Sequence, residues 1–543
     1  MPMLRTSSEA FPASKKVLGD LPYVLRVEFG DLARDVAKIV GKPIACQRCN
    51  GFLLSVDQIK DDDKIGKHFV CPFCGTLNVI EGEIVVAGDD TNFVVEPPPE
   101  TTETDTDVIS VGGRSFLGLI DVSGSMAGAN LAAVKRSLNT SIDSLAANAP
   151  NTLFGLIEFE SSVLCRNLET GQPIELPRES FMSLDSITDA TKRLLDKIKL
   201  VQIGENADNL KKHVSALRDQ GGTALGPAAV MAYVIAKHRN VGRIVLLTDG
   251  LANEGIGALE GYQVTPASSF YEDLGDKFRE LGAAVDVVGI ASGAGMELKT
   301  LGLMPEATGG TMYYVTPNEL DRSLSELAGA ELLGRDVEVK LIIPAGVRLK
   351  DASGASRAVL DELRKKGGGK IGVVGEDHEL YFEIEPEKKI KDEEVPIQVQ
   401  VAYTDRDGAR RVRAVTTKLR VSDKENEIMK TLDPTVGATF VTQKAGEDAI
   451  RGERSKGKKR LESFRSAMKA RTKAAPKAVQ TMLEKADRVL EREEEELEIQ
   501  EARMAAAPAR GAAPSAAADM SAVENLAQMK RSSKKIFDDE DEE

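Results

Sequence analysis

Two sets of side chains in this 543-residue chain have the types and spacing to hold a metal. The first is Cys46, Cys49, Cys71 and Cys74, arranged as one CxxC, a spacer over 50–70, and a second CxxC. Two such knuckles on hairpins carry four soft thiolates to the corners of a tetrahedron, the arrangement Zn²⁺ takes in structural sites. With no open coordination position the ion would stabilise a small module that buries little core of its own. A redox CxxC needs only one pair at a thioredoxin-like helix start. Four reduced core thiols would have no reason to come in matched pairs, and a two-zinc RING needs more ligands. His68, three residues before Cys71, is read as a surface residue. The second set is hard oxygens. DVSGSM (121–126) offers Asp121, Ser123 and Ser125, GGTALG (221–226) offers Thr223, and LLTDG (246–250) offers Asp249. DVSGSM alone reads equally well as a strand end and a helix cap.

The elements around these residues favour the second use. Between 110 and 330, near-continuous apolar runs of strand length (SFLGLID, TLFGLIEFE, RIVLLTDG, AVDVVGIA) alternate with amphipathic helical patterns. That texture predicts a parallel sheet covered on both faces. Ligands of such sheets bind beyond the carboxyl ends of the strands, where strand order reverses. Asp121 and Asp249 each end an apolar strand, and Thr223 precedes a helix. Asn253, just beyond, is a loop residue that would at most line the rim, and Gly221 and Gly222 give the loop backbone freedom.

The rest of the chain divides by texture. Residues 1–20 read as disordered, and 21–95 as the cysteine module with flanking strands. EPPPETTETDTD marks a linker over 96–109. Residues 335–423 alternate as an antiparallel β-sandwich, with DRDG (405–408) as a hairpin turn and 357–367 as a short helix. Residues 424–504 are helical, broken at Pro476. The stretch from Val489 has too few apolar positions for a buried helix and is expected to project into solvent or to end the fold. Residues 505–543 are an Ala/Pro linker, a short helical motif over 523–537 and the acidic end DDEDEE. The fold class is multidomain α/β: zinc ribbon, Rossmann-like domain, β-sandwich and C-terminal helical region.

DxSxS, the threonine of a GGT loop and TDG after a later strand resemble the metal-ion-dependent adhesion site of a von Willebrand factor A (vWA) domain. The likeness spans about 110–330. It implies Mg²⁺ (or Mn²⁺) bound directly by Ser123 and Ser125, by Thr223 when a ligand is engaged, and through water by Asp121 and Asp249. Three hydroxyls and two carboxylates leave the dication under-neutralised, so it would accept an acidic side chain from a protein partner. The order zinc ribbon, vWA domain, β-sandwich, helices resembles the inner-coat subunits of the COPII vesicle coat. Two differences stand out: no gelsolin-like domain follows the helices, and the oxygen set is complete where coat subunits generally lack one. Cytosolic vWA proteins with a β-sandwich and helical hairpin after that domain are a second resemblance, through GRDVEVKLIIPAGVRL.

No P-loop, GxSxG elbow or HExxH is present, and none of the four histidines adjoins a nucleophile in sequence. A non-enzyme is expected. The lone Cys165 reads as a small core hydrophobe. The net charge of −15 disfavours nucleic acid, and the one basic run, RSKGKKR (454–460), reads as a solvated helix face. No long apolar span or leader pattern is seen, so the expected location is cytoplasmic, with membrane contact only indirect. EREEEELEIQEARM lacks the alanine and serine of a ubiquitin-interacting helix. Three functions follow in order: a scaffold capturing a partner carboxylate through Mg²⁺, a COPII-coat-like trafficking component, or an accessory subunit of an ATPase or ubiquitin ligase.

Overall fold

The computed structural model describes residues 3–505 apart from 35, 98–114, 250–251, 260–263, 291–297, 331, 451–452 and 473–474. The linker expected at 96–109 falls almost wholly outside the described residues, as do the tail and the motif at 523–537. Before the gap lie β1 (Leu4–Thr6), β2 (Ala10–Pro12), α1 (Lys15–Leu18), β3 (Tyr23–Glu28) and β4 (Lys38–Val40). The cysteine module follows with β5 (Ile59–Asp62), β6 (Gly66–Val70) and β7 (Leu77–Val79), and then β8 (Asp90–Glu96).

The α/β domain runs through β9 (Ser115–Asp121), α2 (Ala129–Asn148), β10 (Leu153–Phe159), β11 (Val163–Arg166), β12 (Pro173–Glu175), α3 (Leu184–Leu194), β13 (Val201–Gln202) and α4 (Ile203–Ala216). It continues with α5 (Leu225–Arg239), β14 (Arg243–Thr248), α6 (Val264–Glu280), β15 (Ala284–Ile290), α7 (Leu298–Leu301), α8 (Leu303–Thr308), β16 (Met312–Val315) and α9 (Leu320–Gly329). Sheet order is β12-β11-β10-β9-β14-β15-β16. The five strands from β10 to β16 pair in parallel, and β9 and β15 are buried along their whole length. Burial on both faces is why these strands carry no alternation. The chain leaves β9 first toward β10 and returns later to β14 on its other side, so strand order reverses between β9 and β14. The register pairs Leu247 with Ile120, which sets Thr248 beside Asp121 at that reversal.

The sandwich uses β17 (Leu332–Ile342), β18 (Val347–Ser353), α10 (Arg357–Lys366), β19 (Gly368–Gly375), β20 (Glu379–Pro386), β21 (Glu394–Thr404) and β22 (Arg410–Ser422). It does not stand alone, as the division at 335–423 supposed. One sheet is β1-β3-β20-β18; the other is β19-β17-β21-β22-β8-β4, with β2 paired to β22. The expectation of disorder over 1–20 is therefore corrected. Met3 and Phe11 are among the most deeply buried side chains of the chain. Strands of three residues leave no local period to read, and their partners lie hundreds of residues away. Likewise β3 and β8 belong to the sandwich, not to the cysteine module they flank.

The last helices are α11 (Glu425–Lys430), α12 (Pro434–Ile450), α13 (Arg454–Thr472) and α14 (Lys477–Ala505), with the break at Pro476 as expected. They share one apolar core with the sandwich. The stretch from Val489 does not simply project: Val489, Leu490 and Glu493 are buried. Among the described residues no helix is long and apolar enough to cross a membrane.

Candidate metal centres

The two cysteine knuckles are built alike. Asn50 N–H donates to Cys46 O at 2.9 Å and Gly75 N–H to Cys71 O at 2.9 Å. Each turn needs a left-handed residue after its second cysteine, and Asn50 (φ 60°) and Gly75 (φ 70°) supply it. The four Sγ atoms lie within 4.8 Å of one another, with Cys46–Cys74 and Cys49–Cys71 each at 3.5 Å. Sulfurs on a tetrahedral ion with Zn–S bonds of about 2.3 Å would stand about 3.8 Å apart, so the cluster has the size of that site. Burial opposes ionisation of Cys46, but the backbone N–H groups of Cys49 and Arg48 and the Asn78 amide outweigh it and lower its thiol to about 6. Burial wins at Cys71, which rises to about 11. His68 is buried, not on the surface as its sequence position suggested, and its Nδ1 lies 2.9 Å from Gly66 O. The module docks on the sandwich through Phe73, whose carbonyl accepts Ala345 N–H at 3.0 Å, and through Ile342.

The oxygen set gathers at the strand reversal. Asp121 is fully buried; its Oδ1 accepts Ser123 N–H at 2.8 Å and its Oδ2 accepts the Thr248 hydroxyl at 2.5 Å. Ser125 Oγ donates to Asp249 Oδ1 at 2.7 Å and lies 3.1 Å from Ser123 Oγ. Neither serine side chain caps a helix: Ser123 precedes a 3-10 turn over Gly124–Met126 without a capping hydrogen bond, and α2 starts after Gly128 with no side-chain cap. The hydroxyls point instead at the carboxylates of the neighbouring strand ends. Burial pushes the Asp121 carboxyl up to about 6 against the hydrogen bonds from Ser123 and Thr248, and the nearby Asp249 charge pushes the same way.

Thr223 arrives by another route. Gly221 O accepts Gly124 N–H at 3.2 Å, tying the GGT loop to the DVSGSM loop. Asn253 Oδ1 accepts Thr223 N–H at 2.8 Å, and Thr223 O accepts Asn253 and Glu254 N–H at 3.1 and 3.2 Å. Asn253 is thus a staple between the loop after β14 and the GGT loop. Gly221 has the left-handed φ of 68° that favours glycine, and both glycines sit against the ends of neighbouring side chains. A Cβ on Gly221 would lie 2.3 Å from Glu160 Oε2, and one on Gly222 would lie 2.5 Å from Glu254 Oε1.

Two participants were not singled out from the sequence. Thr248 precedes Asp249 and reads there as strand. Asn130, early in α2, donates to Asp249 Oδ2 at 2.9 Å. Its signal was a buried amide at a helix start facing a strand end, which only the fold makes visible. Cys165 is a buried strand residue, as read.

Residues 114–328 match the family model described as the Sec23/Sec24 trunk domain. The circularly permutated Ras protein 1 of Dictyostelium discoideum is 25% identical over 463 residues, covering 79% of this chain and 54% of that protein. The protein transport protein SEC24 of Kluyveromyces lactis is 20% identical over 450 residues, 75% of this chain and 46% of its own length. The chain spans about half the length of these curated relatives. The crystal structure of the human COPII-coat protein Sec24c superposes with a TM-score of 0.69 at 15% identity, covering 97% of this chain and 75% of that one. Residues 114–328 thus resemble the Sec23/Sec24 trunk domain, and the fold of the chain resembles that of the COPII-coat protein Sec24c.

Proposed function

We propose that this chain is a non-catalytic, COPII-coat-like trafficking component whose surfaces bind protein partners and meet a membrane through them. One observation carries this ahead of the other functions: the Sec24c likeness runs through 97% of the chain, not the trunk alone. The interlocked build supports it. N-terminal strands, sandwich and helices share one core, which suits a rigid plate better than a set of tethered binding modules. The test is flotation of the purified chain with liposomes and a GTP-loaded small GTPase of the coat type. Recruitment that needs the GTPase supports the reading. Equal flotation without it, or none with it, refutes it.

A second reading is favoured by the gathered oxygens. The donor set fits a hard dication: two fully buried carboxylates adjoin serine hydroxyls, and the proton affinity of Asp121 is raised first by burial and then by the charge of Asp249. Ser123, Ser125, Thr223, Asp121 and Asp249 would hold Mg²⁺, and the ion would offer a coordination position to a partner's acidic side chain. Partner capture with and without Mg²⁺ tests this. Capture that survives both EDTA and Asp121→Ala ends it. The four cysteines would hold structural zinc, their sulfurs fitting in number, type and spacing.

A further inference from the structure

Among the described residues seven large apolar side chains are prominently exposed, and six of them fall within 40–79: Val40, Val56, Ile65, Val70, Leu77 and Val79. Three of the six form one patch. In the β6–β7 ladder Val70 pairs with Leu77 and His68 with Val79, so Val70, Leu77 and Val79 share a face. The opposite face carries buried Phe69 and Asn78 toward the cysteines. β7 is also an edge strand, paired among the described residues to β6 alone. Half-exposed aliphatics on a short sheet with an open edge mark an interaction surface. The exposed charges of the module sum to −3 over 56–83, with Asp57, Asp61, Asp62, Asp63, Glu81 and Glu83 against Lys60, Lys64 and Lys67; the register puts Lys60 and Asp62 on the patch's own face.

We infer that this face is covered by the chain's own segment 523–537, VENLAQMKRSSKKIF. That segment lies beyond the described residues and has the complementary composition. It offers Val523, Leu526, Met529, Ile536 and Phe537, and its four basic residues against Glu524 give a balance of +3. It follows the last described helix, which ends at Ala505, by the linker 506–522. A linker of that length reaches up to about 60 Å when extended. Tethering gives a segment of this kind an effective concentration on the order of 1 mM, so weak docking suffices to keep the patch covered. The six acids 538–543 adjoin the segment directly, so the complementary charge belongs to 523–537 alone. This inference is independent of the coat reading and of the oxygen site.

The experiment uses zinc-loaded full-length chain, a chain truncated after Ala505, and a labelled peptide of residues 521–537. Fluorescence anisotropy should show saturable binding of the peptide to the truncated chain, with a Kd on the order of 10–100 µM. Leu77→Asp with Val79→Asp should weaken it at least tenfold, as should charge reversal of the peptide's Lys530, Arg531, Lys534 and Lys535. Both substituted side chains are solvent-exposed, and unchanged zinc content confirms that the module is intact. Hydrogen exchange of β6 and β7 should be slower in the full chain than in the truncated one. Absence of peptide binding with identical exchange overturns the proposal. So does self-association of the truncated chain, or its binding to liposomes, if either is lost in the double variant, because the patch then belongs to a second copy or to lipid.

Discussion

Replacing Phe11 by alanine tests the least expected part of this fold. Phe11 is fully buried in a segment whose sequence reads as a disordered leader. Its ring meets Tyr23 edge-on, with centroids 4.8 Å apart at 83°. Its strand pairs in parallel with β22 at Val421, and Ala13 N–H extends the pairing to Ser422 O at 2.8 Å. Truncating a buried phenylalanine costs about 3–5 kcal/mol, of which an edge-to-face ring contact is about 0.5–1.5. We expect about 4 kcal/mol here, roughly a thousandfold in the opening equilibrium. That is a large share of the about 5–15 kcal/mol that holds a typical domain. The chain has no tryptophan, so urea unfolding is best followed by far-UV circular dichroism. Amide exchange along β22 reports the local opening in parallel. Val40→Ala is the control: Val40 is 82% exposed on an edge strand and should change stability by less than about 0.5 kcal/mol. If Phe11→Ala behaves like the control, the N-terminal strands are not part of the sandwich and the reasoning fails.

Three further outcomes are expected. Cys46→Ser should abolish zinc retention measured by atomic absorption and unprotect β5–β7, while the trunk's exchange stays unchanged. In Gly226→Ala the new Cβ would stand 1.8 Å from Ile256 O, so the loop carrying Asn253 must shift. A loss of about 1–3 kcal/mol and faster exchange at Thr223 are expected, and calorimetry with amide exchange checks both. Lys444 lies 3.3 Å from Asp351, whose burial favours protonation but whose cations, Lys444 and Arg364, hold its carboxyl below the usual range. A depressed carboxylate stabilises the fold at neutral pH and loses that effect as pH falls through its folded value. Lys444→Met should therefore cost about 3 kcal/mol near pH 7 and flatten the loss of stability on acidification, read by urea midpoints across pH 3–7.

Local chemistry alone determined a good deal about this protein. The cysteine quartet was legible because CxxC spacing is itself the geometry of a knuckle. The parallel sheet was legible because strands buried on both faces are apolar throughout, and Asp121 and Asp249 were placed at strand ends because the apolar runs stop there. The helix over 357–367 showed through its amphipathic period and the break at Pro476 through the proline's missing N–H. Three things were decided only in the tertiary structure. β1 and β2 are too short to have a period and exist because β3 and β22 offer unpaired edges. His68 is buried at a place in the ladder between Lys60 and Val79, which spacing does not encode. Ser125 of DVSGSM turns from capping α2 to meeting Asp249 because β14 lies beside β9, a neighbour relation set by strand order between segments more than a hundred residues apart.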